Sequence, residues 1–565
     1  MKYYSTNNHK KVVSFETALI NGIADDGGLY MPTEIPTLEK TFIKNIEKYS
    51  FQEIAFHIAE KFIGNDIEPK KLRDIIEDAI NFPAPLVALT DSGISDAISD
   101  VLPKSVLKMK NLNTQAAASF QIPVSFANHV SSRKSINSQS KAFTPEPIPT
   151  AKSTSPDKEL SNSNISSQKA ATFSSFPTDL SVLELFHGPT LAFKDFGARF
   201  MARVMGHFIA GSEKELNILV ATSGDTGSAV AYGFYGTPGI NVYILYPKGK
   251  VSEIQEKQLT TLDKNITAIE IDGTFDDCQR LVKAAMTDID LKGKNLSSAN
   301  SINIARLIPQ IFYYFEMYKQ IKNKKKNIFV SVPSGNLGNL TAGLIAKKMG
   351  LPITKFISSL NSNSVFAEYI SSGEFIPRSS VQTISNAMDV GNPSNLVRIA
   401  ELYNNMDAIR KDIYSESFCD EKTNEAISEI YRKYNYIIDP HGAVGYLGLK
   451  SYVQKIQDID SKKVSEREFE KDLNNNYTGI ILETAHPAKF IETVENALAT
   501  KVHSHSVNHK DQDGNSRPLL ANKSDEEEIK IEIVIPERLA ECLSKEKQMI
   551  SLPADYPSFK HRLTT

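Results

Sequence analysis

Cysteine is scarce in this 565-residue chain, with three residues at positions 278, 419 and 542. They lie too far apart for a disulfide framework and form none of the paired spacings of a zinc site. No uninterrupted apolar run is long enough to span a bilayer, and the opening Met1–His9 lacks the apolar stretch of a signal peptide. Neither sign of charge dominates: 64 Lys plus Arg stand against 67 Asp plus Glu, a net charge of −3. Without a charge excess there is no electrostatic footprint for nucleic acid or for an anionic membrane surface. These absences point to a soluble protein of a reducing compartment, the cytoplasm being the simplest choice. Hydrophobic residues at 41% and charged residues at 23% match an ordinary globular composition. The length exceeds one hydrophobic core, so several folded units, or fewer with insertions, are expected.

Residues 1–112 read as a folded, largely helical N-terminal domain, with apolar residues at helical spacing over Phe15–Ile20 and Phe51–Phe62. From 113 to 177 the chain is crowded with Ser, Asn, Pro, Lys and Gln, a composition that buries too little apolar surface to offset chain entropy. A disordered insertion is expected there, and a second polar loop over 503–528. Histidines 503, 505 and 509 in that region lack the companions of a metal site, so no metal is expected. Elsewhere a strand, a glycine turn and a helix recur. Leu216–Ala221 runs into Thr222–Gly227 and then Ser228–Tyr232; Asn327–Val332 runs into Pro333–Asn339 and a helix from Leu340. Apolar strands alternating with helices predict an α/β protein: two doubly wound domains with mostly parallel sheets, 178–325 and 326–565, flanking a cleft.

Three segments carry chemistry. Ser334-Gly335-Asn336-Leu337-Gly338-Asn339 lies between a strand and a helix, where backbone N–H groups can converge on an anion. It fits neither G-x-x-x-x-G-K-[ST] nor G-x-G-x-x-G, and a plain strand–helix connection would also use glycine there. Thr222–Ser228 holds more short hydroxyl side chains than an N-cap needs, which suits a carboxylate or phosphate. Lys194, flanked by Phe193 and Phe196, is a candidate for a desolvated amine of lowered pKa that forms a Schiff base. An arbitrary lysine in such a place is more often a surface residue laying its stem on apolar neighbours.

Phe186-His187-Gly188-Pro189-Thr190 through Lys194-Asp195-Phe196, with the two glycine turns, resembles the threonine synthase family of pyridoxal-phosphate enzymes. Further blocks resemble that family: Tyr3–Thr6, Asp26–Pro32, Ser298–Asn303, Met388–Asn395, Asp439–His441 and Thr484–Phe490. The long N-terminal segment is similar to the longer bacterial and fungal type. The resemblance implies a fold type II enzyme with pyridoxal 5'-phosphate, which converts O-phospho-L-homoserine and water to L-threonine and phosphate, the last step of threonine biosynthesis. It implies that Lys194 holds the cofactor as an imine and then serves as general acid and base. The loop Ser334, Gly335, Asn336, Leu337, Gly338 and Asn339 would hold the cofactor phosphate. Thr484 would meet the pyridine nitrogen, and Asp225 the ring hydroxyl or the substrate. Ser223, Thr226 and Ser228 would take one substrate anion, and Asn300, Ser301 and Arg306 the other. His187, His441 and His486 receive no catalytic role. A phospholyase making 2-oxobutyrate from the same substrate is the nearest alternative. A dehydratase or β-replacement enzyme acting on serine or threonine would have no phosphate for Asn300, Ser301 and Arg306 to hold. A non-catalytic binding protein of this fold would be expected to have lost the lysine or the phosphate loop.

Overall fold

The computed structural model describes residues 1–91, 179–460, 477–499 and 533–565, the side chains of 459 and 460 excepted. The expected insertion at 113–177, the polar loop at 503–528 and histidines 503, 505 and 509 lie outside the described residues.

The N-terminal segment builds a small antiparallel sheet in which β1 (Tyr3–Ser5) lies between β2 (Asn8–Val13) and β3 (Tyr30–Pro32). The same segment forms the helices Phe15–Asn21, Lys40–Lys44, Phe51–Ile63 and Pro69–Ala79, the first and third where the helical spacing predicted them. The Phe51–Ile63 helix starts where a sequence rule says it should. Ser50 accepts from the Glu53 N–H and Glu53 accepts from the Ser50 N–H, so each satisfies an orphan donor.

Two larger sheets follow. One has the order β12-β11-β10-β13-β5-β4: Ile413–Ser417, Lys355–Leu360, Asn327–Pro333, Tyr477–Glu483, Leu180–Glu184 and Leu86–Leu89. Its pairings are parallel except that between β4 and β5. The other has the order β14-β8-β7-β6-β9: Ile550–Pro553, Ile266–Asp272, Ile240–Pro247, Leu216–Ala221 and Leu296–Ser298, all parallel. Strands such as Leu216–Ala221 are apolar because helices cover both faces, so nearly every side chain is buried.

The sheets do not divide at residue 325 as the sequence suggested. β5 pairs in register with β13, which places the chain just before Lys194 in the six-stranded sheet. β14 and the Tyr556–Thr564 helix return to the five-stranded sheet, where Phe559 and Leu563 fill the core over Leu281 and Ile269. A local pattern identifies a buried strand but not its neighbour, and both exceptions are pairings between strands remote in sequence.

Candidate active site

Lys194 opens the Lys194–Ile209 helix at the end of a loop that is tied to the tip of β13. Leu185 N–H donates to the Glu483 carbonyl at 3.0 Å, Phe193 N–H to the Thr484 carbonyl at 2.8 Å, and His486 N–H to the Leu191 carbonyl at 3.0 Å. Inside the loop, the buried Asp195 carboxylate accepts from the Thr190 N–H and hydroxyl, each at 2.8 Å. A Cβ at Gly188 would come within 2.4 Å of Asp195 Oδ2, so this turn requires glycine. Burial pushes the Lys194 amine down from the ordinary lysine range to about 8; Asp225 pulls it back up, and Arg306 and Lys489 add to the fall. The two flanking phenylalanines part company. Phe196 packs into the core against Phe51, Phe82 and Tyr313, while the ring of Phe193 stays 5.9 Å from the ammonium.

The glycine turn after β10 faces the same cavity. Leu337 takes up a left-handed conformation, φ 59°, and the Gly338–Lys348 helix starts after it. Gly335 passes so close to the Asn386–Met388 turn that a Cβ would lie 2.7 Å from the Met388 Cα. The first N–H groups of a helix lack intrahelical partners, so this turn presents unpaired donors to whatever anion enters. The two asparagines brace the loop. Asn336 donates to the Ser301 hydroxyl and accepts from the Ser394 N–H, and Asn339 donates to the Pro333 carbonyl at 2.8 Å. Ser334 is buried and gives its hydroxyl to the Val332 carbonyl.

Opposite stands the start of the Asp225–Phe234 helix. Thr222 Oγ1 accepts from the N–H groups of Gly224 and Gly227 and so shapes the turn itself. Asp225 carries the charge there. Its Oδ1 lies 2.6 Å from the ammonium of the wholly buried Lys489 and accepts from Gln255 Nε2 at 3.0 Å. Burial alone would raise this carboxyl, but Lys489 and then Lys194 outweigh it and hold the group far below the usual carboxylate range. On the third side, Arg306 is buried with Nη1 on the Ala299 carbonyl at 2.6 Å, while its Nε and the buried Asn300 Oδ1 have no partner among the described residues. Burial brings the guanidinium down to about 10, and Asp195 opposes that fall.

One cavity of about 1090 Å³ gathers Lys194, Ser223, Asp225, Thr226, Asn300, Ser301, Arg306, residues 335–339 and Thr484. Two expected site residues do not line it. Ser228 sits one helical turn into its helix, buried, with its hydroxyl directed to the Asp225 carbonyl at 3.3 Å. Ser334 is turned back toward its own strand. Sequence reasoning missed four contributors. Lys489 lies in a quoted block but carried no role. Gln255 was legible only as the last residue of a Ser252–Gln255 capping box. His441 lines the cavity; its Nδ1 lies 2.6 Å from Asp439 Oδ2 and its Nε2 accepts from the Ala387 N–H at 3.2 Å. That contact pins the Asn386–Met388 turn behind Gly335. The fourth is Arg398, fully buried, whose fork donates to the carbonyls of Tyr30, Ser301 and Ile302 and to Asn395 Oδ1. It ties β3 and the 300–303 loop to the segment that braces the glycine turn.

Known proteins resemble this chain along most of its length. Residues 2–80 match the family model for the threonine synthase N terminus, 177–464 that for pyridoxal-phosphate dependent enzymes, and 461–561 that for the threonine synthase C-terminal region. The threonine synthase of Escherichia coli is 36% identical over 500 residues, 88% of this chain and 91% of that one. This chain belongs to the threonine synthase family. The Saccharomyces cerevisiae threonine synthase is 32% identical over 550 residues, covering 88% of this chain and 89% of its own. A crystal structure of the Escherichia coli protein matches with TM-score 0.70 and 33% identity, covering 100% of this chain and 99% of that one. A threonine synthase from Brucella melitensis solved with bound PLP matches with TM-score 0.69 and 26% identity, covering 100% and 98%. The chain is therefore a fold type II pyridoxal-phosphate enzyme, a lyase with threonine synthase activity. The residues present suit that cofactor: a buried amine of lowered pKa, and a glycine turn of N–H donors with no room for a Cβ at Gly335. Among the described residues no helix is long and apolar enough to cross a membrane, and no cluster suits a metal ion.

Proposed function

We propose that the substrate is O-phospho-L-homoserine and that the cavity converts it, with water, to L-threonine and phosphate. The observation that carries this reading is the presence of two separate anion stations around one low-pKa lysine. The N–H groups of 335–339 would hold the cofactor phosphate, with Lys194 joined to its aldehyde carbon, Thr484 facing the ring nitrogen and Asp225 the ring hydroxyl. The second station, Asn300, Ser301 and Arg306, would hold the substrate phosphate, since Arg306 keeps an unpartnered Nε after Nη1 is fixed on Ala299. Ser223 and Thr226, at the helix start on the cavity wall, suit the substrate carboxylate.

Bound pyridoxal phosphate supplies an electron-withdrawing ring that spreads negative charge away from the substrate's α carbon. Lys194 takes the proton from Cα, removes another from Cβ as the Cγ–O bond breaks and phosphate leaves, returns a proton at Cγ so that the double bond lies between Cα and Cβ, and gives one back at Cα once water has added its hydroxyl at Cβ. An amine with a pKa near 8 suits both directions of transfer near neutral pH. Arg306 and Asn300 stabilise the charge gathering on the departing phosphate. The hydroxyl of Thr484, offered to the ring in place of a carboxylate, moderates the electron demand. The proposal keeps the cytoplasm as the compartment, on the strength of the three scattered cysteines.

Product analysis tests this. Incubating the pyridoxal-phosphate-loaded protein with O-phosphohomoserine should yield L-threonine and inorganic phosphate in equal amounts. Release of 2-oxobutyrate and ammonia instead would make the chain a phospholyase, and absence of phosphate release would reject the substrate.

A further inference from the structure

Lys489 is a wholly buried cation whose ammonium makes its ion pair with Asp225, at 2.6 Å from Oδ1. It also donates to the Thr190 carbonyl at 3.0 Å, an acceptor it shares with Gln258 Nε2 at 3.2 Å. Thr190 in turn donates its N–H and hydroxyl to Asp195, the residue after Lys194. One ammonium therefore fastens both Asp225 and the loop that carries the reactive lysine. Asp225 Oδ1 receives two donors, Lys489 and Gln255, whereas Oδ2 receives none among the described residues, and Asp225 lines the cavity. Gln255 is itself held, its Oε1 accepting from Asn386 Nδ2 at 3.1 Å and from the Ser252 N–H at 3.2 Å.

Burying a carboxylate and an ammonium costs several kcal/mol per ion before their attraction offsets it, and replacing such a pair by neutral groups is often stabilising. A neutral side chain at position 225 would need no partner at 489, so the pair calls for a reason beyond stability. We infer that Lys489 is a positioning residue: it holds Asp225 as an oriented anion, Oδ1 turned to Lys489 and Gln255, so that Oδ2 is left for the ring hydroxyl of the cofactor. The inference rests on the reading of Asp225 as a cofactor contact. The charged and titratable groups that bear on Asp225 are Lys489, Lys194 and, less strongly, His441; those that bear on Lys194 are Asp225, Arg306 and Lys489.

The test compares pyridoxal-phosphate affinity, absorbance spectrum and thermal unfolding, with and without cofactor, in wild type and in Lys489→Arg, Lys489→Met, Asp225→Asn and the double variant Asp225→Asn/Lys489→Met. Lys489→Met should weaken cofactor binding about tenfold or more and move the absorbance maximum, while Lys489→Arg stays within about threefold because the ion pair survives. Asp225→Asn should weaken binding by a similar factor, since it strands a buried ammonium. The double variant should bind at least about fivefold more tightly than either single one, the signature of coupling between the two sites. A merely structural pair would lower the unfolding temperature of loaded and cofactor-free Lys489→Met equally and leave affinity within about twofold, and that result overturns the inference. Should Lys489→Met fail to fold, the double variant decides: tighter binding than Asp225→Asn supports the inference, equal or weaker binding overturns it. A wild type that forms no lysine-bound chromophore would remove the underlying reading of Lys194, an outcome visible before any variant is compared.

Discussion

The depressed pKa of Lys194 has a direct kinetic consequence. Only a neutral amine attacks an aldehyde. At pH 7 an ordinary lysine is neutral to about 0.03%, but an amine titrating near 8 is neutral to roughly 10%, a gain of about 300-fold in reactive form. The rate at which cofactor-free protein takes up pyridoxal phosphate should therefore rise about tenfold from pH 6 to pH 7, bend near pH 8 and stay flat above pH 9. Timed borohydride trapping, with mass analysis of the peptide bearing Lys194, reads that rate. Burial is the largest cause of the depression and Arg306 a lesser one, so Arg306→Met should move the bend upward by no more than about one unit. The linkage has a fixed sign. Between about 8 and the ordinary lysine range near 10.5, the unfolded chain holds a proton at this residue that the folded chain has released, so its contribution to stability rises with pH over that window. A trapping rate that keeps climbing tenfold per unit through pH 10 would refute the account of a desolvated amine.

Three further outcomes follow from particular contacts. Gly335→Ala forces a Cβ to within 2.7 Å of the Met388 Cα, so the loop must shift; pyridoxal phosphate should bind about tenfold more weakly while pyridoxal, which lacks the phosphate, loses far less, as equilibrium absorbance titration would report. Arg398→Lys replaces a fork that serves three backbone carbonyls and an amide by a single ammonium, leaving buried acceptors unpaired; thermal or urea unfolding should show a loss of about 3 kcal/mol. Asp195→Ala strands the buried Thr190 N–H and hydroxyl at a cost of about 1–3 kcal/mol, and the loosened loop should slow cofactor uptake at Lys194 in the trapping assay.

Much of the site was written locally. The glycine turn after β10, the hydroxyl-rich turn after β6 and the lysine motif each lie on one short segment, and each segment faces the cavity. Strand and helix identity was equally legible, from an apolar run ending in a glycine turn at Leu216–Ala221 and from helical spacing in Phe51–Ile63. Side-chain direction within a turn was less so. Thr226 and Ser228 look equivalent as hydroxyls near a helix start, yet the helix carries Ser228 inward to the Asp225 carbonyl and leaves Thr226 on the wall.

By itself, then, the sequence determined the α/β class and the family to which the chain belongs, and it marked the candidate site segments, because those depend on residue type and short spacing. Only the tertiary structure decided that β5 lies beside β13, that β14 joins the five-stranded sheet, and that Lys489 meets Asp225. Each of these is a pairing between segments remote along the chain, where the choice among many buried strands and charges is made by packing and mutual neutralisation, forces that no local window contains.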